Sequence, residues 1–134
     1  HFTDRRQRQM CIRDRRELIM SDGSEKIKFI DPSNFKINKE IQVYDNSGKV
    51  ESLNELEYIN GKIFSNIYGQ DKIAVINPLS GLVENYINLE KIMNKKNYKN
   101  IDVMNGIAFN EKSNTLYITG KWWPSLYEIK LSKK

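Results

Sequence analysis

Two stretches, FIDPSNFKINKEIQV at residues 29–43 and VINPLSGLVENYINL at residues 75–89, decide the fold, because they align without a gap at a period of 46. Ile30 meets Ile76, Asp31 meets Asn77, Pro32 meets Pro78, Ile37 meets Val83, Ile41 meets Ile87 and Val43 meets Leu89. Each copy reads as strand, turn, strand. Proline sets φ for the second position of a turn, and the Asp or Asn before it can accept hydrogen bonds from the backbone two residues on.

A second pair of segments extends the repeat. NELEYINGKIFSN at 54–66 precedes one copy, and NGIAFNEKSNTLYITG at 105–120 has the same pattern. Apolar alternation at Leu56 and Tyr58, at Ile107 and Phe109, and at Leu116 and Ile118 predicts short half-buried strands. Asn60-Gly61 predicts a two-residue hairpin turn, and residues 111–114 supply the turn in the other copy. The unit is four short strands in 46 to 51 residues, the period and strand count of a β-propeller blade. A β-sandwich with a chance likeness between two hairpins is the alternative, since sandwiches also space short strands regularly. The one helical candidate, LEKIMNKK at 89–96, is too short to stand alone and reads as a loop insertion after an outer strand.

The expected fold class is therefore all-β: a partial β-propeller of about two and a half four-stranded blades. Propellers close their ring with four to eight blades. We thus expect residues 17–134 to be the C-terminal blades of a larger propeller, whose missing N-terminal blades would be needed to close the ring.

Composition narrows the function. The 134 residues carry 22 Lys+Arg and 17 Asp+Glu, a net charge of +5, with one Cys and one His; the pI is near 9.2 and the mean hydropathy -0.66. No apolar run approaches the ~20 residues of a membrane-spanning helix. One Cys precludes an intrachain disulfide framework. The basic pI invites a nucleic-acid reading, but the charge is localised. Six arginines and two aspartates lie within residues 1–16, together with Cys11 and His1, leaving 16 lysines, no arginine and 15 acidic residues from Glu17 onward. The stretch RRQRQMCIRDR at 5–15 resembles a translated reading frame of a sequencing-library adaptor. Residues 1–16 are accordingly set apart from the fold as a non-native segment and expected to be disordered, and no nucleic-acid partner is expected.

In a propeller the loops at one end of the blades converge on the central channel. Three segments follow the second strand of their units: residues 21–24, 66–71 and 119–124. The last places Lys121 beside Trp122 and Trp123. Large aromatics in an exposed loop suggest use, although Trp123 is equally suited to pack between blades. The lysine pairs Lys95-Lys96 and Lys133-Lys134 read as solvated loop and tail. The body has no His for a Ser-His-Asp or Cys-His arrangement, no Gly-rich phosphate loop and no calcium-loop spacing of carboxylates.

Residues 53–81 (LNELEYINGKIFSNIYGQDKIAVINPLSG), 103–109 (VMNGIAF) and 116–131 (LYITGKWWPSLYEIKL) resemble the glutaminyl-peptide cyclotransferases of the five-bladed propeller type. IMSDGSEKIKFIDP at 19–32 is similar to that family's preceding blade. The resemblance implies an aminoacyltransferase that converts the N-terminal glutamine of a peptide or protein substrate to pyroglutamate with release of ammonia, without metal or other cofactor. It implies catalytic roles for Lys121, aligned with the lysine of a TGK motif, as an oxyanion-binding group, and for Asn54, the Asn of NELE, as a hydrogen-bond partner of the substrate. Tyr68 aligns where many members carry Trp and would keep an aromatic wall, with Trp122 and Glu55 as further substrate-binding candidates. Glu57 reads as structural. The family's proton-transferring glutamate belongs to an earlier blade, so this chain alone is expected to be inactive. A secreted or periplasmic parent is what the resemblance implies for localisation. A non-catalytic propeller that binds peptides or scaffolds partners is the alternative.

Overall fold

The computed structural model describes residues 9–12 and 17–132. It is all-β, with eleven strands in three antiparallel sheets, a small hairpin and, among the described residues, no α-helix. Among the described residues no helix is long and apolar enough to cross a membrane.

The first sheet runs β1 (Gln9–Ile12), β2 (Leu18–Ser21), β3 (Lys26–Ile30), β4 (Ile37–Gln42). A hairpin of β5 (Tyr44–Asp45) and β6 (Gly48–Lys49) leads to the second sheet, β7 (Leu53–Ile59), β8 (Lys62–Ile67), β9 (Lys72–Ile76) and β10 (Val83–Asn88). The third is β11 (Met104–Asn110), β12 (Thr115–Gly120) and β13 (Tyr127–Lys130). Each sheet is ordered from its first strand outward, and the first strand of the middle sheet, β7, lies against both β1 and β11. That is the radial arrangement of propeller blades, with the first strands facing the axis.

The repeat explains the hairpins atom by atom. Asp31 Oδ1 accepts from Ser33 N–H (2.8 Å) and Asn77 Oδ1 accepts from Leu79 N–H (2.9 Å). The Phe35 N–H donates to Asp31 O (2.7 Å), and Gly81 N–H donates to Asn77 O (2.9 Å). The shared left-handed position falls on Phe35 (φ 58) in one blade and Gly81 (φ 84) in the other. Asn60 (φ 48) and Gly61 (φ 80) make the two-residue turn that requires positive φ at both positions.

Two apolar clusters hold the blades face to face. Ile19, Ile27, Phe29, Ile41, Val43, Leu53, Leu56, Ile63, Ile67, Ala74 and Ile76 are buried between the first two. Ile59, Phe64, Ile73, Leu89, Met104, Ile107, Leu116 and Ile118 are buried between the second and third. β7 serves both: Leu56 belongs to one cluster and Ile59 to the other, as alternation along a strand dictates.

Two expectations need adjustment. Gln9–Ile12 forms a strand paired with Leu18–Ser21, so the disorder expected throughout residues 1–16 does not hold for these four. The physical reason is that β2 has an edge whose unpaired backbone groups will take any extended segment within reach. The remainder of that segment, residues 1–8 and 13–16, and the Lys133-Lys134 tail lie outside the described residues. Residues 89–102 form a loop whose only regular element is a 3-10 turn at Lys95–Asn97. Lys95 there is not merely solvated: its ammonium pairs with Asp71 (2.5 Å) and lies 5.8 Å from the Trp123 ring centroid, tying the insertion to loops of both flanking blades.

Candidate functional site

The three loops singled out from the sequence do follow β2, β8 and β12 and lie at one end of the blades. Backbone bonds connect the first two: Ser52 N–H donates to Gly23 O (2.9 Å), and Tyr68 N–H donates to Ser52 O (2.8 Å). In the third, Lys121 N–H donates to Val103 O (3.0 Å) while Asp102 N–H donates to Lys121 O (2.9 Å). Lys121 is thus fixed at its backbone by bonds that do not involve its side chain.

At this end both first strands carry a bulge. The pairing of β7 with β8 shifts register between Leu53 and Leu56, and that of β11 with β12 between Met104 and Ile107. Leu53 pairs with Ile67 and Met104 with Gly120, so Asn54 is the structural equivalent of Asn105, and Tyr68 of Lys121. Bulges re-aim side chains and concentrate near functional sites. Here they bring equivalent residues of adjacent blades together. Asn54 Nδ2 donates to Asn105 Oδ1 at 2.8 Å, and Lys121 Nζ stands 5.8 Å from the Tyr68 ring centroid, within cation–π reach. Ser21 Oγ donates to Asn54 O (2.7 Å) from the other side. Asn54 is buried, whereas Tyr68 and Lys121 are exposed.

Glu55 and Glu57 follow Asn54 on β7, both half-buried. Burial raises the carboxyl pKa of each, and for Glu57 the nearby charge of Glu55 adds to it. Glu57 pairs with Phe64, a member of the cluster between the second and third blades, so its side chain is on that face.

The two tryptophans separate. Trp123 packs against the cluster between the second and third blades, meets Tyr127 edge-on at 6.1 Å and donates its Nε1–H to Asp102 O (2.8 Å). It is a structural anchor for the loop. Trp122 is 80% exposed and does not join that packing. It occupies the third position of a turn closed by Trp123 N–H on Gly120 O (3.2 Å), with φ 60, a conformation that costs a bulky residue about 1 kcal/mol or more. Gly120 is required beneath Trp123, because a Cβ there would enter the indole ring.

Sequence reading named Asn54, Glu55, Tyr68, Lys121 and Trp122; the fold gathers Asn54 with Glu55, and Tyr68 with Lys121, at one mouth, and leaves Trp122 outward. It placed Ser21 and Asn66 in the mouth loops 21–24 and 66–71 without giving either a role, and it gave none to Asn105. The fact that Asn54 and Asn105 each begin a family-like motif, NELE and NGIA, was the available signal for one of them. Asn66 is fully buried; its Oδ1 accepts from Gly106 N–H (3.2 Å).

Chemically, the mouth offers a cation, an aromatic face, a side-chain amide held by a second amide, and the half-buried carboxyl of Glu55. A cation beside an aromatic face suits acyl chemistry on a small polar group.

A family model described as glutamine cyclotransferase matches residues 9–131. A glutaminyl-peptide cyclotransferase of Arabidopsis thaliana is 39% identical over 123 residues, which cover 90% of this chain and 38% of that protein. The crystal structure of Myxococcus xanthus glutaminyl cyclase superposes with a TM-score of 0.80 at 33% identity, over 89% of this chain and 52% of that one. The WD40 β-propeller domain of Doa1 superposes at 0.59 with 14% identity, over 93% of this chain and 36% of that one, a likeness of fold alone. The chain spans between about two-fifths and about half the length of the two cyclase relatives.

Proposed function

Because the chain belongs to the glutamine cyclotransferase family, we propose that it supplies part of the active site of a glutaminyl-peptide cyclotransferase, acting on peptides or proteins with N-terminal glutamine. We take residues 17–134 as the C-terminal blades of that enzyme, with residues 1–16 foreign to it. The observation that carries the reading is the meeting of Lys121 and Tyr68, from adjacent blades, at the end of the molecule where the β7 bulge turns Asn54.

In the reaction the neutral α-amine attacks the γ-carboxamide carbon of the same glutamine. A C–N bond forms and closes a five-membered lactam through a tetrahedral oxyanion. One proton then passes from the former amine to the carboxamide nitrogen, the C–N bond to that nitrogen breaks, and ammonia leaves. The enzyme provides no nucleophile, so its work is to hold the folded conformer, stabilise the oxyanion and conduct the proton.

Lys121, with its backbone fixed and its ammonium 5.8 Å from Tyr68, is assigned to the oxyanion. Tyr68 forms the wall that presses the glutamine side chain back toward its amine. Asn54, with one amide hydrogen engaged by Asn105, retains a carbonyl and a second N–H for the substrate. Glu55 follows Asn54 on β7 and borders this site, where its carboxyl can accept a hydrogen bond from the substrate amine. Trp122 is an outer contact for the peptide beyond the glutamine.

The test is ammonia release, with the matching loss of mass, from a glutamine-initiated peptide. The full-length enzyme is expected to turn it over and the 134-residue chain alone to show little or none. Robust turnover by the chain alone would refute the requirement for further blades, and none by either would refute the activity.

A further inference from the structure

The first and second blades each reach their neighbour through the last residues of the second strand. Ser21, the cross-strand partner of Ile27, donates its hydroxyl to Asn54 O (2.7 Å). Asn66, the cross-strand partner of the equivalent Ile73, accepts at Oδ1 from Gly106 N–H (3.2 Å). Both contacts end on the same peptide of the bulge: its carbonyl at 54–55 in β7, its N–H at 105–106 in β11. The carbonyl and N–H of a trans peptide point opposite ways, and no cis bond is present among the described residues. The bulge peptide of β11 is therefore turned over relative to that of β7. Gly106, at φ 137, permits the turn, and a Cβ there would meet Thr119 Cγ2 at 2.9 Å.

Asn66 carries more than this contact needs. Ser21 makes its bond with a single hydroxyl, whereas the amide brings a second polar atom. Asn66 Nδ2 is the one buried side-chain nitrogen or oxygen among the described residues without a hydrogen-bond partner. Rotating the amide would set Nδ2 against the Gly106 N–H, donor to donor, so the orientation is fixed by its partner. A buried donor left unspent opposes folding, and local costs of this kind concentrate where function demands a geometry. What Asn66 secures is the peptide that carries Asn105, and Asn105 Oδ1 is the acceptor that holds Asn54.

We propose that Asn66 is a positioning residue for cyclisation: it holds the turned-over 105–106 peptide so that Asn105 aims the Asn54 amide at the substrate. The role rests on the assignment of Asn54 to substrate binding made above. Asn66 itself is buried and acts through the other two.

The experiment measures ammonia release by the full-length enzyme carrying Asn66→Ala, Asn66→Asp, Asn105→Ala and the Asn66→Ala/Asn105→Ala pair, with thermal unfolding alongside. Asn66→Ala is expected to lower kcat at least about tenfold with KM within about threefold. Asn66→Asp, which retains an acceptor for Gly106 N–H, recovers most of that rate. The double variant is no slower than its slower parent, since both act on one element. A lowered Tm with unchanged kcat, an Asp variant no faster than Ala, or effects that multiply would each overturn the proposal. If Asn66→Ala does not fold, Asn66→Asp is compared with Asn66→Leu, which keeps similar volume but carries no acceptor for the Gly106 N–H; the Asp variant is then the faster, and equal rates overturn the proposal. Turnover by the unmodified enzyme is scored separately, so that its absence refutes the activity rather than Asn66.

Discussion

Tyr68 and Lys121 occupy the same position in adjacent blades, each the first residue after the second strand, and the Lys121 ammonium lies 5.8 Å from the Tyr68 ring centroid. The repeat thus builds a cation and an aromatic face from one site used twice. Replacing Tyr68 by Ala removes the wall and leaves the cation. The expected outcome in the full-length enzyme is a KM raised roughly tenfold with a smaller change in kcat, because the wall acts on bound substrate and transition state alike. Tyr68→Trp restores KM. Steady-state kinetics on a glutamine-initiated peptide checks both.

Asn54 and Asn105 form the second equivalent pair, bonded at 2.8 Å. Asn105→Ala leaves Asn54 in place but releases its amide. We expect kcat to fall about tenfold, corresponding to ~1.4 kcal/mol, with the fold retained as judged by circular dichroism. Asn54→Ala is expected to be worse, since it removes the contacting group itself. Equal activity of Asn105→Ala and the unmodified enzyme would show that Asn54 needs no orientation.

The architecture was legible in the sequence because the blade repeats locally. The aligned Asp31 and Asn77 turns, the Asn60-Gly61 hairpin and the alternation on β7 and β12 are short-range patterns, and each appears in the structure as its residues demand. The candidate site residues were read from side-chain types that stand out, Lys121 and the tryptophans, and from the family-like motifs that carry Asn54, Tyr68 and Lys121. Trp122 and Trp123 are adjacent and chemically alike, so only packing against Tyr127 and Asp102 separates the outward residue from the anchor. Asn66 lay in a loop singled out from the sequence, but its role was not legible, because its partner, Gly106, is 40 residues away and a single buried amide leaves no periodic mark. The β1 strand escaped because strand pairing at an open edge depends on proximity more than on side-chain pattern.

Glu55 and Glu57 predict a pH dependence. Burial raises both carboxyls above their unfolded value, so the folded state holds more protons than the unfolded one as these groups titrate. Their contribution to stability is greatest at low pH and is lost as pH rises from the ordinary carboxylate range through the raised folded values. Glu57→Gln should therefore raise the unfolding temperature at neutral pH and flatten its fall across that window, and Glu55→Gln should also lower the pKa that remains at Glu57. Thermal unfolding followed from pH 4 to pH 8, a window of about four units around that range, reads both effects. A profile unchanged by either substitution would mean the two carboxyls are fully solvated.

Gly120 makes a sharper structural prediction. A methyl group at this position would enter the Trp123 indole, so Gly120→Ala must push that ring from its place against Tyr127 and Asp102. Overpacking of this kind costs about 1–3 kcal/mol. It also moves the turn that carries Lys121, so activity should fall further than stability alone explains. Tryptophan fluorescence reports the change, because Trp122 is already exposed and only Trp123 has an environment to lose.

Lys121→Ala in the full-length enzyme, assayed for ammonia released from a glutamine-initiated peptide, tests the account at its centre. Lys121 is exposed, and its backbone bonds to Asp102 and Val103 do not involve the side chain, so the variant should fold with an unchanged unfolding temperature. Loss of an oxyanion-binding group is expected to lower kcat by about 10²–10³. A folded Lys121→Ala enzyme that releases ammonia at the unmodified rate would contradict the assignment of this mouth as the cyclisation site.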